Sequence, residues 1–308
     1  MANFVIICPT YNAGLLWDKW ISMVKEQIGL KCQVINIDSE SNDDTYAKSK
    51  DAGFYTIRIP KVDFNHAGTR NKAVQIARKK FKAEILIFLT QDALLDSPKS
   101  ISYILNPFDN PNIAAVCGRQ VPHDNADPIA SHARFYNYSN KSFVNDKADI
   151  PQKGLKAAYM SNSFAAYRYT VYEKCGGFPE GLIFGEDMFL AAKILLKGYK
   201  TYYSADAVVK HSHNYSLKEE FKRYFDIGVF HSSQPFLIDN FGRVSGEGMK
   251  FAISELRYCL KLGGAYWGVN SIFRSGLKFI GYKLGSLHKR FPTWFNRKLS
   301  MDKHFWQR

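Results

Sequence analysis

Four short runs, each stopping at a polar cluster, constrain this chain more than any other feature. They are Phe4-Val5-Ile6-Ile7-Cys8, Gln33-Val34-Ile35-Asn36-Ile37, Tyr55 to Ile59 and Glu84 to Leu89. Each has strand length, and the first, second and fourth are close to continuously apolar, as strands covered on both faces are. Helical spacing fills the gaps. Leu15 to Gln27 puts Leu16, Trp20, Met23 and Val24 on one face, Asp43 to Gly53 reads as a capped helix closed by glycine, and Thr69 to Phe81 is a third helix. Such alternation predicts an α/β fold of three layers with a mainly parallel sheet. In sheets of this kind ligands collect beyond the carboxyl ends of the strands. The polar clusters Pro9-Thr10-Tyr11-Asn12, Asp38-Ser39 and Thr90-Gln91-Asp92 fall at those ends.

Beyond Leu95 the pattern loosens. Asn106 to Asn112 and Pro122 to Pro128 read as loops, Met188 to Lys197 as an amphipathic helix ended by Gly198, and Thr201 to Val209 as a strand running into His211-Ser212-His213. From there the chain reads as helical, over Leu217 to Phe230, Gly248 to Leu262 and Val269 to Phe291. The expected organisation is an α/β domain over 1–215, with a regular first half (1–95) that carries the strand-end clusters and a less regular second half (96–215). A helical, basic C-terminal region follows over 216–308.

The formal net charge of +14 calls for an anionic partner. From Phe241 to Arg308 there are about 13 Lys/Arg against about 3 Asp/Glu, so the excess is concentrated there. No base-reading module accompanies it, which argues against a nucleic-acid partner. The cysteines, 5 in number with no Cys-x-x-Cys pair, argue against a disulfide framework or zinc site and fit a reducing cytosol. Phe4 to Cys8 is too short for the core of a signal peptide, and no apolar run reaches membrane-spanning length. No G-x-G-x-x-G follows the first strand, which disfavours a dinucleotide oxidoreductase.

The strand-end residues suggest a chemistry. A carboxylate at Asp38, with Ser39, Ser41 and Asp43 nearby, can accept hydrogen bonds from a pyrimidine ring or ribose, or it can cap a turn. Asp92, directly after a buried strand, is placed to hold a divalent cation against a diphosphate. Glu186 and Asp187 open an apolar helix. The helix dipole favours them there, and one of them can take a proton from an acceptor hydroxyl. His211 and His213 share a face of an extended strand and can offer imidazole to a cation or phosphate.

Taken together, these clusters resemble the inverting family-2 glycosyltransferases of the GT-A fold over roughly residues 3–215. Pro9-Thr10-Tyr11-Asn12 resembles the opening strand-end motif of that family. Asp38-Ser39 with Ser41, Asp43 and Thr45 resembles its nucleoside-binding segment, and Gln91-Asp92 stands where the metal motif lies. Gly185-Glu186-Asp187 resembles the Glu-Asp motif whose second acid is the base. His213, with His211, is similar to a later histidine that joins the metal or diphosphate. Phe64-Asn65-His66-Ala67-Gly68-Thr69-Arg70-Asn71 and Thr90-Gln91-Asp92-Ala93 resemble segments of bacterial rhamnosyltransferases of surface-polysaccharide synthesis.

The resemblance implies dTDP-L-rhamnose as donor, Mg²⁺ or Mn²⁺ as cofactor, and His66, Arg70 and Asn71 near the donor. Arg70 is expected to pair with the diphosphate. Gln91 departs from the family's first acid and places a neutral amide toward the sugar or ribose, leaving Asp92 as the metal ligand. Asp187 is expected to deprotonate the acceptor, a lipid-linked oligosaccharide. A UDP-hexose or UDP-N-acetylhexosamine enzyme is the alternative within the fold, and a non-catalytic nucleotide-sugar-binding protein the alternative outside enzymes. The irregular segment around Phe135 to Ser163 is expected to recognise the acceptor.

In the tail, Ile272, Phe273, Leu277, Ile280, Leu284, Leu287 and Phe291 recur at helical spacing with Arg274, Lys278, Lys283, Lys289 and Arg290 between them. A basic amphipathic helix of this kind reads as an element that lies on an anionic membrane surface, or as a helical cap on the domain. The expected location is the cytoplasm, peripheral on the inner face of the cytoplasmic membrane. The aromatic content of 15% leaves a homo-oligomer open.

Overall fold

The computed structural model describes residues 3–242 and 246–307. The outermost bounds of the expected domains, residues 1 and 308, lie outside them. The strands are β1 (Phe4–Thr10), β2 (Val34–Asp38), β3 (Tyr55–Arg58), β4 (Ile85–Leu89), β5 (Leu94–Leu95), β6 (Ile113–Val121), β7 (Phe143–Asn145), β8 (Phe164–Arg168) and β9 (Lys200–Lys210). The first helices are α1 (Leu16–Lys25), α2 (Thr45–Asp51), α3 (His66–Phe81), α4 (Ser100–Leu105), α5 (Pro128–Asn137) and α6 (Ile150–Lys153). They are followed by α7 (Tyr169–Lys174), α8 (Glu186–Leu196), α9 (Leu217–Ser233), α10 (Pro235–Phe241), α11 (Glu247–Ser286) and α12 (Thr293–Leu299).

The strands form a sheet of order β3-β2-β1-β4-β8-β6-β9-β5, with β7 paired to β9. The expected parallel arrangement holds for β1 to β4 and recurs between β6 and β9. Past β4 the sheet is mixed, because β8 runs antiparallel to both β4 and β6. Alternate residues of the buried strands feed two cores, one on each face of the sheet. Val5, Ile7, Leu86 and Phe88 pack with α3 and α8, whereas Phe4, Ile6, Ile85 and Ile87 pack with α1 and α4. Both faces are covered, which is why these runs carry so few polar residues.

Two helix readings shift. In α1 the inward residues are Trp17, Trp20 and Val24, and Leu16 faces solvent. The stacked Trp17 and Trp20 rings, 4.6 Å apart, fill more volume under the sheet than Leu16 could. Helix α3 begins at His66, earlier than Thr69, because Asn65 caps it by accepting from the Gly68 amide at 2.6 Å.

The C-terminal helices share the main core. Phe225, Val229, Phe230, Leu237 and Phe241 join the cluster that contains Val5 and Ile7. Helix α11 is broken at Gly264, which has φ 69°. Its second half crosses α9 backbone to backbone: a Cβ on Gly281 or Gly285 would collide with the Phe221 or Phe225 carbonyl, and one on Gly228 with that of Tyr282. The tail also departs from expectation at two cations. Arg274 and Lys278 are buried, not surface-facing: Arg274 Nη1 lies 2.8 Å from Glu220, and Lys278 Nζ lies 3.1 Å from Glu220 and 2.7 Å from Glu255. Acids supplied by α9 and by the first half of α11 draw these charges inward.

Candidate active site

The register of β1 on β2 sets Thr10 beside Asp38, and that of β2 on β3 sets Asp38 beside Arg58. At this edge the polar residues are largely used by the protein itself. Asp38 is fully buried; its carboxylate accepts from Thr10 Oγ1 at 3.4 Å, the Ser41 amide at 3.1 Å and Arg58 Nε at 3.3 Å. The loop after β1 is then stitched to the start of α2. Asn12, in a left-handed conformation at φ 45°, donates its amide to Ser41 Oγ and accepts the Asn42 amide on Oδ1. The Ala13 amide goes to Thr45 Oγ1 and the Gly14 amide to Asp43 Oδ2. So Ser41, Asp43 and Thr45 hold the 12–14 backbone in shape. Pro9 pairs in register with Ile37, and Ser39 is buried with its amide on the Thr10 carbonyl. What remains open at this edge is Tyr11, whose hydroxyl accepts from Lys61 Nζ at 2.6 Å.

Gln91 differs from the expectation that its amide faces sugar or ribose. It accepts from the Tyr11 amide at 2.8 Å and donates to the Tyr11 carbonyl at 3.1 Å. That two-way clamp needs a donor and an acceptor on one planar group, which a carboxylate cannot supply. Gln91→Glu is therefore expected to set a carboxylate against the Tyr11 carbonyl and to cost roughly 1–3 kcal/mol. A denaturant midpoint equal to that of the parent would show that the clamp is dispensable.

Asp92 does meet both expected histidines. Its Oδ2 lies 3.5 Å from His211 Nε2 and 3.7 Å from His213 Nε2, and one ligand atom from each of the three falls within 4.8 Å of the others. The parallel pairing of β9 with β6, ending at Lys210 opposite Val121, delivers His211 to this point. Gln120 Oε1 already accepts from Arg134 Nη1 at 2.5 Å, so the His211 Nδ1 contact at 2.8 Å is a donation by the ring. The lone pair of Nε2 is thereby left facing Asp92. Burial opposes ionisation of the Asp92 carboxyl, but in acid, where the two imidazoles are protonated, the hydrogen bond and charge of His211 and the charge of His213 outweigh it and hold the group well below the usual carboxylate range. Burial, with the charge of His211, pushes His213 down to about 4, and burial lowers His211 too. An ionised carboxylate and two neutral imidazoles at neutral pH are what a divalent cation requires. His123, which the motifs did not single out, supports the cluster: its ring lies 3.1 Å from the Asp92 carbonyl and its amide donates to Ser212 Oγ.

The second cluster lies at the start of α8. Gly185 takes φ 78° and a Cβ there would meet the Phe230 ring at 2.6 Å, so glycine is needed both for the turn and for the packing. Asp187 accepts from the Asn162 amide at 2.9 Å on Oδ2 and from its neighbour Met188 at 2.8 Å on Oδ1. Glu186 is buried and accepts from Arg70 Nη1 at 2.9 Å and Asn162 Nδ2 at 3.4 Å. Burial first, and then the charge of Glu186, push the Asp187 carboxyl up to about 7 against the pull of its two amide donors. A carboxylate of that basicity is matched to proton transfer near neutral pH.

Arg70 was expected on a donor diphosphate. The structure instead commits Nη1 to Glu186 and to the His66 carbonyl, with Nε buried and without a protein acceptor. His66 is exposed beside it, its Nδ1 3.3 Å from Arg70 Nη1. Asn71 also turns inward, donating to the Phe178 carbonyl and accepting from Tyr172 and the Phe178 amide. The 64–71 segment thus fastens α3 to the chain that leads into Glu186 and Asp187.

The two clusters are tied together through residues 161–163. Gln120, which holds His211, donates to Ser161 Oγ at 2.9 Å. The Ser163 carbonyl accepts from the Thr90 amide two residues before Asp92, and Asn162 between them holds Asp187. Asn162 and Gln120 are site residues that the motifs missed. Each is an isolated amide, in a loop or near the end of a strand, with no spacing pattern to mark it.

Residues 5–176 match the model for glycosyl transferase family 2. The chain belongs to glycosyltransferase family 2. Within the family it is 48% identical over 99% of its length, and 96% of the relative's, to the O-antigen chain rhamnosyltransferase RfbN of Salmonella typhimurium. It is 44% identical, with the same coverage, to the O-antigen chain rhamnosyltransferase WbaN of Salmonella anatum. Among solved structures, the mannosyltransferase PcManGT of Pyrobaculum calidifontis, in complex with GDP-Man and Mn²⁺, superposes with a TM-score of 0.60 at 17% identity, covering 92% of this chain and 84% of that one. Glucosyl-3-phosphoglycerate synthase of Mycobacterium tuberculosis gives 0.52 at 15% identity, covering 80% and 82%. The fold is GT-A with a helical C-terminal region, and the family-2 chain is a glycosyltransferase.

Proposed function

We propose that this glycosyltransferase moves L-rhamnose from dTDP-L-rhamnose, with inversion, to a hydroxyl of a lipid-linked oligosaccharide. The observation that carries the chemistry is the Asp187 carboxyl, with its raised pKa, joined by hydrogen bonds through residues 161–163 to the strand end and the amide that hold Asp92 and His211. The choice of rhamnose rests on the near full-length similarity to O-antigen chain rhamnosyltransferases. Asp187 takes the proton of the acceptor hydroxyl while that oxygen forms a bond to the anomeric carbon. The bond from the anomeric carbon to the diphosphate oxygen breaks, and dTDP leaves with the electron pair. A β-linked donor then yields an α-rhamnoside. Asp92, His211 and His213 are the residues that would hold the cation, and a bound cation would neutralise charge on the leaving diphosphate. Two imidazoles with one carboxylate suit Mn²⁺ better than Mg²⁺, whose preference is for oxygen alone. The basic region 216–308 is read as meeting an anionic membrane on its cytoplasmic face.

The deciding experiment is turnover of dTDP-L-rhamnose, UDP-glucose, UDP-galactose and UDP-N-acetylglucosamine with Mn²⁺, with Mg²⁺ and with chelator. Selective use of dTDP-L-rhamnose, lost in chelator and regained more fully with Mn²⁺ than Mg²⁺, is expected. Use of a UDP-sugar instead would overturn the donor.

The pKa of Asp187 gives a second test. The base must be ionised, so kcat/KM is expected to rise with pH through about 7 and to level above it. Glu186→Gln removes a negative charge that raises Asp187 and leaves the Arg70 charge uncompensated, which lowers it. Both changes act in one direction, so the acidic limb should move to lower pH. A limb that stayed in place, or moved up, would separate Asp187 from the proton transfer.

A further inference from the structure

The second half of α11 is built inside out. Its buried face carries small residues and cations, namely Gly268, Ser271, Arg274, Lys278, Gly281 and Gly285. Its outer face carries Tyr266, Val269, Ile272, Phe273, Phe279 and Ile280, with exposures from 71% at Tyr266 to 50% at Ile280. A helix on a water-facing surface has the opposite polarity. The charges can turn inward because Glu220 and Glu255 meet them, and the glycines let the helix lie against α9 without filling the gap with apolar side chains. That leaves a continuous apolar strip, about 20 Å long at the rise of an α-helix, with none of the described residues over it. A strip of this size marks a binding surface.

We propose that this strip lies in the headgroup–acyl boundary of an anionic bilayer, with the helix axis in the membrane plane. The inference deepens the reading of region 216–308 as membrane-associating and rests on it. Charge decides the occupant. The exposed cations Arg257, Lys261, Lys283, Lys289, Arg290 and Arg297 precede and follow the strip along the chain, and Lys283 lies over the Phe279 ring. From Glu247 onward the described acids are taken up within the protein: Glu255 by Lys278, Glu247 by Lys156 and Lys250, and Asp302 by the His304 and Phe305 amides. A second copy docked by a two-fold axis would bring cations against cations, whereas anionic headgroups complement them. Trp294, 68% exposed, adds the kind of side chain that settles at a membrane interface. In the described residues no helix is long and apolar enough to cross a membrane, so the strip lies on the bilayer and does not span it.

The same helix reaches the active site from its other side. Arg274 Nη1 donates to the Tyr215 carbonyl at 2.8 Å, and the Tyr215 ring stacks on His213 with centroids 5.1 Å apart. The strip is therefore linked to His213 through Arg274 and Tyr215.

The test is co-sedimentation of the full chain with vesicles of phosphatidylglycerol and phosphatidylcholine, and with phosphatidylcholine alone. The parent is compared with Ile272→Ser/Phe273→Ser/Phe279→Ser. Light scattering and thermal melting run alongside, together with donor hydrolysis in solution. The expected result is binding of the parent to the anionic vesicles, at least tenfold weaker in the triple variant, which melts and hydrolyses donor like the parent. A parent that ignores anionic vesicles would remove the wider membrane reading and this one with it. A triple variant that binds like the parent would leave the wider reading standing and remove this strip. A parent dimer that the triple variant dissolves would give the strip to a second copy. If the triple substitution lowers the melting temperature, Val269→Ser/Ile280→Ser carries the same comparison.

Discussion

Asp187→Asn is expected to lower rhamnosyl transfer by roughly 10²–10⁴-fold while leaving nucleotide affinity within a few-fold of the parent. The substitution is close to isosteric and keeps an oxygen that can accept the Asn162 or Met188 amide. It removes the only feature the reaction needs from this group, an ionisable oxygen with a pKa of about 7. Transfer and nucleotide binding must be measured together. A variant that retained turnover would remove Asp187 as the base, and one that lost nucleotide binding would move its role to the donor. The affinity expectation follows from the distribution of contacts. The 12–14 loop and the Asp92 cluster are held by Ser41, Asp43, Thr45, Gln91 and Gln120, none of which touches Asp187.

Arg70→Met is expected to destabilise the protein by about 3–5 kcal/mol, because it leaves Glu186 charged and buried without its partner. Arg70→Met/Glu186→Leu should recover most of that loss, since removing both charges also removes the desolvation they had to offset. The measurement is the denaturant midpoint of the two variants, alongside nucleotide affinity. The competing role, a clamp on the donor diphosphate, makes the opposite forecast. Under it Arg70→Met would keep the parent midpoint, lose nucleotide affinity, and gain nothing from the second substitution. The difference matters for the reaction because Glu186 is the neighbour whose charge helps raise Asp187, and Arg70 is what keeps Glu186 ionised in a buried position.

The Asp92, His211 and His213 cluster was legible in sequence because each of its members ends a strand. Asp92 follows β4, His211 and His213 follow β9, and strand ends are where an α/β sheet gathers its ligands. The Glu-Asp pair was legible because Gly185 announces a turn that only glycine makes without strain. Ser41, Asp43, Gln91 and Asn71 stand at the expected places, and their hydrogen bonds within the protein were not legible. A short polar side chain beside a strand end can serve a ligand or a neighbouring amide equally well, and composition does not distinguish them. Their actual partners are separated by 29, 29, 80 and 107 residues, distances over which no local pattern carries information. Asn162 and Gln120 were not found at all, since a single amide, in a loop or near the end of a strand, belongs to no motif that would mark it.

The tail shows the same division more sharply. Helical spacing correctly placed a helix from Val269 onward, but a spacing pattern gives relative positions around an axis and not the direction in which the axis faces. The apolar stripe read as a buried face or a membrane face with equal right, and Arg274 and Lys278 read as surface cations. What turned them inward was the arrival of Glu220 and Glu255 from elements 54 and 23 residues away. By itself the sequence determined the alternation of strands and helices, the layering that follows from it, the strand ends where a cation can sit and the helix start that carries Glu186 and Asp187. The tertiary structure alone decided which polar side chains face the site and which hold its walls, because hydrogen bonds and ion pairs choose among partners that only folding brings within reach.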